Sequence, residues 1–180
     1  MKKTFIAIAA LVLSAGIYSF APKNYADVFK VDVAKSKVDW NGSAADHYHG
    51  GTVAIKAGEV WVDGGKVTGG KFTFDLTTIK TAENIDRLEG HLKSPDFFDV
   101  AKFGEATYEI TSVKYTTDNT ADVDGKLTIK GAAVPVKLTA KIRGLKDGKL
   151  FVESTFSLDP GPLAFKVAGI DIAVHLFAAK

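Results

Sequence analysis

The chain has 180 residues and no cysteine, with 46% hydrophobic residues, 24% charged residues and a formal net charge of +2. That length allows one domain with a short appendage, and the composition excludes a disordered tail, a collagen, a disulfide mini-protein and a multi-pass membrane protein. Without cysteine there is no thiolate zinc site, no iron–sulfur ligation and no thiol catalysis.

The chain opens with Met1, Lys2 and Lys3, then an apolar run from Phe5 to Leu13, then Ser14, Ala15 and Gly16. This is the order of a secretory signal peptide. A retained anchor fits less well, because a spanning helix wants about 20 apolar residues and Ser14, Gly16 and Ser19 interrupt the stretch from Phe5 to Ala21. Two cleavage points are open: after Ala21, with Pro22 next, or after Ala26, with Asn24 three positions before the cut. The expected organisation is a signal peptide over residues 1–26 and one domain over 27–180, in an exported protein of the periplasm or the medium. No cysteine is available for a lipid anchor. Losing Lys2, Lys3 and Lys23 leaves 20 basic against 21 acidic residues, a net charge of −1. Arg87 and Arg143 are the only arginines and no basic stripe remains, so nucleic-acid binding, which needs clustered cations, is not expected. Nor is a membrane span after cleavage.

From residue 28 the vocabulary is that of strands and turns. Nine strands are expected, over 28–33, 36–43, 51–62, 66–78, 105–116, 121–130, 133–143, 149–158 and 165–177. Val134, Val136, Leu138, Ala140 and Ile142 alternate with Lys137, Thr139, Lys141 and Arg143, the signature of a half-buried strand. Pro135, lacking an N–H, is expected at that strand's start. Phe72, Phe74 and Leu76 share another face, with Val67 on the opposite parity across Gly69-Gly70, so a bulge is expected there. Tyr108 and Ile110 continue the alternation, as do Leu127 and Ile129. Asp63-Gly64-Gly65, Asp118-Asn119 and Asp147-Gly148 read as turns.

Residues 82–93 interrupt the rhythm. Ile85, Leu88 and Leu92 have helical spacing, Glu83 lies early and Lys93 late, as the helix dipole favours. Ser94-Pro95 ends the helix, and Phe97-Phe98 follows between Asp96 and Asp99. Adjacent side chains point apart, so one phenylalanine is expected to seal the core and its neighbour to face a cavity mouth. Many antiparallel strands joined by tight turns suggest a barrel or a sandwich. The fold class expected from the strands is all-β with one short helical insertion, barrel and sandwich both open. Eight strands leave an interior that side chains fill or that holds one small ligand.

Three segments carry a resemblance: "HGGTVAIKAGEVWVDGGKVTGGKFTFDLTTI" from His49 to Ile79, "LEGHLKSPDFFDVAKFGEATYEI" from Leu88 to Ile110, and "DGKLTIKGAAVPVKLTAKI" from Asp124 to Ile142. Together they resemble the YceI-like family of exported bacterial lipocalin-like proteins. "HLKSPDFFD", from His91 to Asp99, and "GKLTIKG", from Gly125 to Gly131, are the most specific parts. The resemblance implies a closed antiparallel, lipocalin-like β-barrel of about eight strands with one short helical insertion at its mouth, and a long apolar cavity suited to a polyisoprenoid chain, such as a quinone tail or a prenyl phosphate. The ligand wall is then expected at Phe72, Phe74, Leu76, Leu92, Phe97, Phe98, Tyr108, Ile110, Val136, Leu138 and Ala140. The chain departs from the family at Leu88-Glu89, where arginine-aspartate is common, at Lys102-Phe103-Gly104, and from Phe156 to Phe177.

No catalytic residue, metal or cofactor is expected. His47 and His49, two apart, could share a strand face with Asp46 or Glu59 and hold a metal, but the segment from Ala44 to Gly51 reads as an irregular, solvated loop. His91 is expected to serve the helix end, and His175, between Val174 and Leu176, to lie in the core. Ser94, His91, Asp96 and Asp99 are close in sequence but lack a nucleophile elbow. The expected partner is a hydrophobic small molecule, an isoprenoid lipid, with monomer and dimer both open. A filled β-sandwich serving as an interaction domain of the cell envelope is the alternative reading, and an enzyme acting on a barrel-held lipid is the third.

Overall fold

The computed structural model describes residues 27–180 except Ala45, Ala164 and Lys166. The signal peptide expected over residues 1–26 lies outside the described residues. The elements are β1 (Asp27–Val31), β2 (Lys37–Ser43), β3 (Tyr48–Asp63), β4 (Lys66–Thr81), α1 (Asp86–Lys93), β5 (Glu105–Thr117), β6 (Thr120–Ile129), β7 (Ala132–Lys146), β8 (Lys149–Leu158), a 3-10 turn (Gly161–Leu163) and β9 (Gly169–Ala179).

All pairings are antiparallel and the sheet closes on itself. Strands β3 to β9 pair in chain order, and β1 and β2 together bridge β9 back to β3. Asp27–Lys30 pair with Glu59–Val62 of β3, whereas Val38–Ser43 pair with Tyr48–Val53 of the same strand. The nine strands therefore occupy eight positions, with β1 and β2 forming one broken stave. Between them the chain turns through Ser36, whose N–H reaches Asp32 O at 3.0 Å while its hydroxyl donates to Phe177 O. A closed eight-position barrel corrects the sandwich alternative: one sheet surrounds one interior, with no second sheet stacked on it.

Local chemistry sets the connections. Gly64–Gly65, Lys130–Gly131 and Asp147–Gly148 have positive φ at both positions and join strands whose flanking residues pair directly. These are the primed two-residue turns whose twist matches the strands. The bulge expected near Gly69-Gly70 is present: Trp61 pairs with Gly69 and Val62 with Val67, leaving Thr68 as the extra residue. A wider irregularity follows, where Thr52 pairs with Lys80 but Ala54 pairs with Asp75. There the Ala54 N–H donates to Thr78 Oγ1, and the Leu76 N–H to Gly104 O. The loop-out turns Leu76 and Ile79 inward, each 4% exposed.

Pro135 is not at the start of its strand but four residues into β7, opposite Lys126. In that stretch β7 pairs only with β6, since its pairing with β8 begins at Thr139, so one edge needs no donor. The helix starts at Asp86 rather than Ala82. Asn84 is left-handed, and Thr81 Oγ1 takes the Ile85 N–H at 2.7 Å. β9 starts at Gly169, not 165, because Pro160 and Pro162 belong to the 3-10 turn region and Phe165 is spent on burial.

One end of the barrel carries the β3–β4, β5–β6 and β7–β8 hairpins. It is packed by Phe29, Val62, Val67 and Leu150, between 1% and 8% exposed, with Leu176 and Ala178. The other end carries α1, the β6–β7 turn and the segment before β9. Its core gathers Leu76, Ile129, Val134, Leu158, Leu163 and Phe165.

Candidate functional site

Inside the barrel is a cavity of about 780 Å³. Ordinary interiors hold few voids larger than a water molecule, whereas ligand pockets run to roughly 300–1,000 Å³. The wall is apolar along its depth. Every residue expected there from the sequence lies on it: Phe72, Phe74 and Leu76 from β4, Leu92 from α1, Phe97 and Phe98 after the helix, Tyr108 and Ile110 from β5, and Val136, Leu138 and Ala140 from β7. The alternation of β7 puts these three inward and Lys137, Thr139 and Lys141 outward.

The other half of the wall went unnamed in the sequence reading. Val38 and Trp40 of β2, Val53 and Ile55 of β3, Val123 and Leu127 of β6, Val152 and Phe156 of β8, and Ile172 and Val174 of β9 complete the circle. Their alternation was present in the sequence as Phe156/Leu158 and Ile170/Ile172/Val174/Leu176. Trp40 Nε1 donates to Thr52 O at 3.2 Å, so the ring's one polar atom is satisfied. The same parity corrects His175: with Val174 and Leu176 inward, it faces out, its side chain 45% exposed and Nδ1 3.5 Å from Glu153.

The polar members of the wall are few. Ser154 is buried at mid-barrel and its hydroxyl donates to Thr139 O at 3.0 Å. Tyr108 is 8% exposed, and its hydroxyl has no hydrogen-bond partner among the described residues. Burial, reinforced by the nearby Asp124 charge, pushes that phenol up to about 12. The remaining polar groups, Ser43, His47, His49, His91 and Asp96, lie at the helix end. The cavity opens there, between the segment from Ser43 to His49 and the one from Leu88 to Phe97.

His47 and His49 do share this region, with ring centroids 5.5 Å apart. His47 Nδ1 lies 2.6 Å from Asp46 Oδ1, while His49 Nδ1 is buried with no hydrogen-bond partner among the described residues. Glu59 is elsewhere on β3, accepting from Trp61 Nε1 and ion-paired with Lys71. Among the described residues no group of three or more His, Cys, Asp or Glu could hold a metal ion. The expected irregular loop is also shorter than read, since β3 begins at Tyr48.

Phe97 and Phe98 do not divide their work as expected. Both are half-buried, both line the cavity, and both pack on Phe165. Phe97 stacks on Phe165 with centroids 4.0 Å apart, Phe98 meets it edge-on at 5.2 Å, and His91 abuts Phe97 at 6.0 Å. The backbone explains this. The Phe97 N–H bonds to Ser94 O and the Phe98 N–H to Leu92 O. The chain therefore coils, and neighbouring side chains need not point apart. Phe165, from the stretch read as strand, is the partner the sequence did not reveal.

Glu89 positions the helix. It is 5% exposed and accepts from the Thr81 N–H at 3.0 Å, Thr81 Oγ1 at 3.2 Å and Lys80 Nζ at 2.8 Å. The Lys80 contact, with the Thr81 amide next, holds its carboxyl below the ordinary glutamate range. Its neighbour Leu88 points the other way and lines the cavity.

Comparison with known proteins agrees with this architecture. A family model described as YceI-like domain matches residues 29–175. A UPF0312 protein of Pseudomonas putida is 36% identical over 147 residues, 80% of this chain and 74% of that relative. Among solved structures, BcnA of Burkholderia cenocepacia superposes with a TM-score of 0.71 at 22% identity, covering 83% of this chain and 99% of that one. A polyisoprenoid binding domain from Saccharophagus degradans, described as implicated in plant cell wall breakdown, gives 0.69 at 15% identity, covering 84% and 97%. At these identities the solved structures speak for the fold.

Proposed function

The chain belongs to the YceI-like family, and from that premise we propose that it binds and carries a polyisoprenoid lipid in its barrel, as an exported protein of the periplasm or the medium. A hydrophobic-ligand-binding barrel is the coarse function that family and fold support. The observation that carries the finer reading is the shape of the cavity: about 780 Å³ and apolar through most of its depth, with Ser154 and the Tyr108 hydroxyl the polar groups there and the other polar groups gathered near its open end. A chain of isoprene units needs a long apolar sleeve and few hydrogen bonds. The polyisoprenoid binding domain from Saccharophagus degradans, with the same fold, supports the same ligand class. The proposal is for a binding protein rather than an enzyme. Ser94, the one hydroxyl near His91 in sequence, donates to the His91 backbone carbonyl at 2.8 Å, not to its ring.

Native mass spectrometry of protein purified from its own host tests the ligand. A copurifying isoprenoid of defined mass supports the carrier. A clean apo mass, together with no uptake of isoprenoid by the delipidated protein, overturns it. Export rests on Lys2-Lys3 and the apolar run to Leu13. N-terminal sequencing of envelope-fraction protein should start near Pro22 or Asp27, and a start at Met1 overturns that part.

A further inference from the structure

Two glycines decide how Trp40 sits. Gly51 is opposite Trp40 in the β2–β3 pairing, and a Cβ on Gly51 would fall 2.6 Å from Trp40 Cζ2 and 2.8 Å from Cε2. The indole therefore lies over bare β3 backbone, held there by the bond from Nε1 to Thr52 O. It lines the cavity with the face turned away from Gly51. Gly42, two residues on and about 7 Å along the strand, is the next inward position on β2 toward the open end. A Cβ there would meet one atom of the described residues, Trp40 Cζ3 at 4.0 Å. So β2 places no side chain of its own on the step above the indole. Gly42 pairs with His49, and His49 and His47, with ring centroids 5.5 Å apart, line the cavity beside it. The phenylalanines of this end are spent on one another, Phe97 stacked on Phe165 and Phe98 edge-on to both.

We propose that Trp40, with the step over Gly42 and the imidazoles of His47 and His49, is a seat for a flat ring, and that the isoprenoid this barrel prefers carries a quinone-type ring as its head rather than a plain alcohol. The proposal rests on the carrier reading above. With the tail in the apolar depth, the head comes to the open end, one strand step from the indole. A planar conjugated ring gains an offset stack there. The indole is already fixed by Gly51 and Thr52, so little ordering is lost on binding. The carbonyl oxygens of the ring accept hydrogen bonds, and a neutral imidazole has one N–H to give. A linear alcohol with the same tail reaches the imidazoles but has no face to offer.

The test uses the mature, delipidated protein and two uncharged probes with the same tetraprenyl tail, menaquinone-4 and geranylgeraniol, each displacing N-phenyl-1-naphthylamine from the cavity below its own aggregation threshold. Menaquinone-4 should bind about fivefold more tightly, the scale of one aromatic stack. Trp40→Leu keeps the wall apolar and should remove most of that gap, weakening menaquinone-4 while geranylgeraniol stays within about twofold. Gly42→Val sets a β-branched side chain, at home in a strand, on the step and should close the gap with the indole still in place. It keeps the test open if Trp40→Leu does not fold. Equal or tighter binding of geranylgeraniol by the unmodified protein overturns the ring preference and leaves the carrier reading standing. A gap that survives either substitution in a folded variant, or equal weakening of both probes, overturns the seat at Trp40. Binding of neither probe by the unmodified protein removes the carrier reading, and this proposal with it.

Discussion

The phenol of Tyr108 lies across Gly125, so close that a Cβ on Gly125 would fall 2.3 Å from both Cζ and Oη of the tyrosine. Gly125 and Leu127 are near neighbours on β6, and Leu127 pairs with Tyr108. The glycine makes a slot, and the ring leans along the wall into it instead of across the cavity. Phe72, stacked against Tyr108 at 6.3 Å, continues the same surface on β4.

Gly125→Ala should therefore push the ring out of its slot and into the cavity. Overpacking of this kind costs about 1–3 kcal/mol. The expected result is a lower melting temperature together with weaker uptake of a fluorescent isoprenoid analogue. Full uptake with unchanged stability would show that the ring has room to move elsewhere.

Tyr108→Phe should have the opposite effect on the empty protein. The hydroxyl is buried with no hydrogen-bond partner among the described residues, and an unsatisfied buried polar group costs about 1–3 kcal/mol. Removing it should raise the melting temperature. The pH dependence has a definite sign. The folded phenol is raised to about 12 from the ordinary 10.0, so its contribution is complete below pH 10 and is lost as pH rises through 12. Alkaline unfolding curves should be flatter for Tyr108→Phe in that window. Tyr115, also raised by burial, should keep some slope in the variant.

The faces of β7 give a paired test. Leu138 lines the cavity, whereas the Lys137 side chain is 86% exposed and 3.5 Å from Asp124. Leu138→Lys should abolish ligand uptake or folding, since an unpaired ammonium in an apolar wall costs several kcal/mol. Lys137→Glu should stay within about 0.5 kcal/mol of the parent in denaturant unfolding. Equal effects would mean that the inward and outward faces are exchanged.

Glu89→Gln should loosen the helix from the end of β4 and lower the melting temperature by several degrees at neutral pH. The carboxyl is held below the ordinary value of 4.5, chiefly by Lys80. Its stabilisation is complete above that value and is lost as pH falls through the lowered one. The gap between parent and variant should thus shrink in acid. A gap constant down to the acid limit would mean that the charge on Glu89 is not what binds it to Lys80 and Thr81.

The strands were legible because the barrel imposes period two on each of them, and Val134 to Ile142 obeys it without exception. The hollow was not legible. Phe74, Leu138 and Ile172 would alternate identically around a filled core, and emptiness depends on the circumference, which the pairings of β3 with β4 and of β1 and β2 with both β3 and β9 set at long range. Residues after Leu158 were misread for a related reason. Phe165 and Val167 alternate as strand residues do, but out of phase with Ile170 and Ile172, and both line the cavity ahead of the start of β9 at Gly169. The helix start shifted because Thr81, a strand residue by pattern, also caps the following turn.

The packed hairpin end has a kinetic meaning. With Phe29, Val62 and Leu150 closing one end, the cavity is a bottle with one neck, and whatever threads in tail-first must back out head-first along the same path. Loading and unloading are then one reaction read in two directions, with a common barrier that lengthens with the chain. On the carrier role proposed above, a donor and an acceptor would take turns at the neck, and handover between them would pass through a free, filled bottle rather than through a three-way complex.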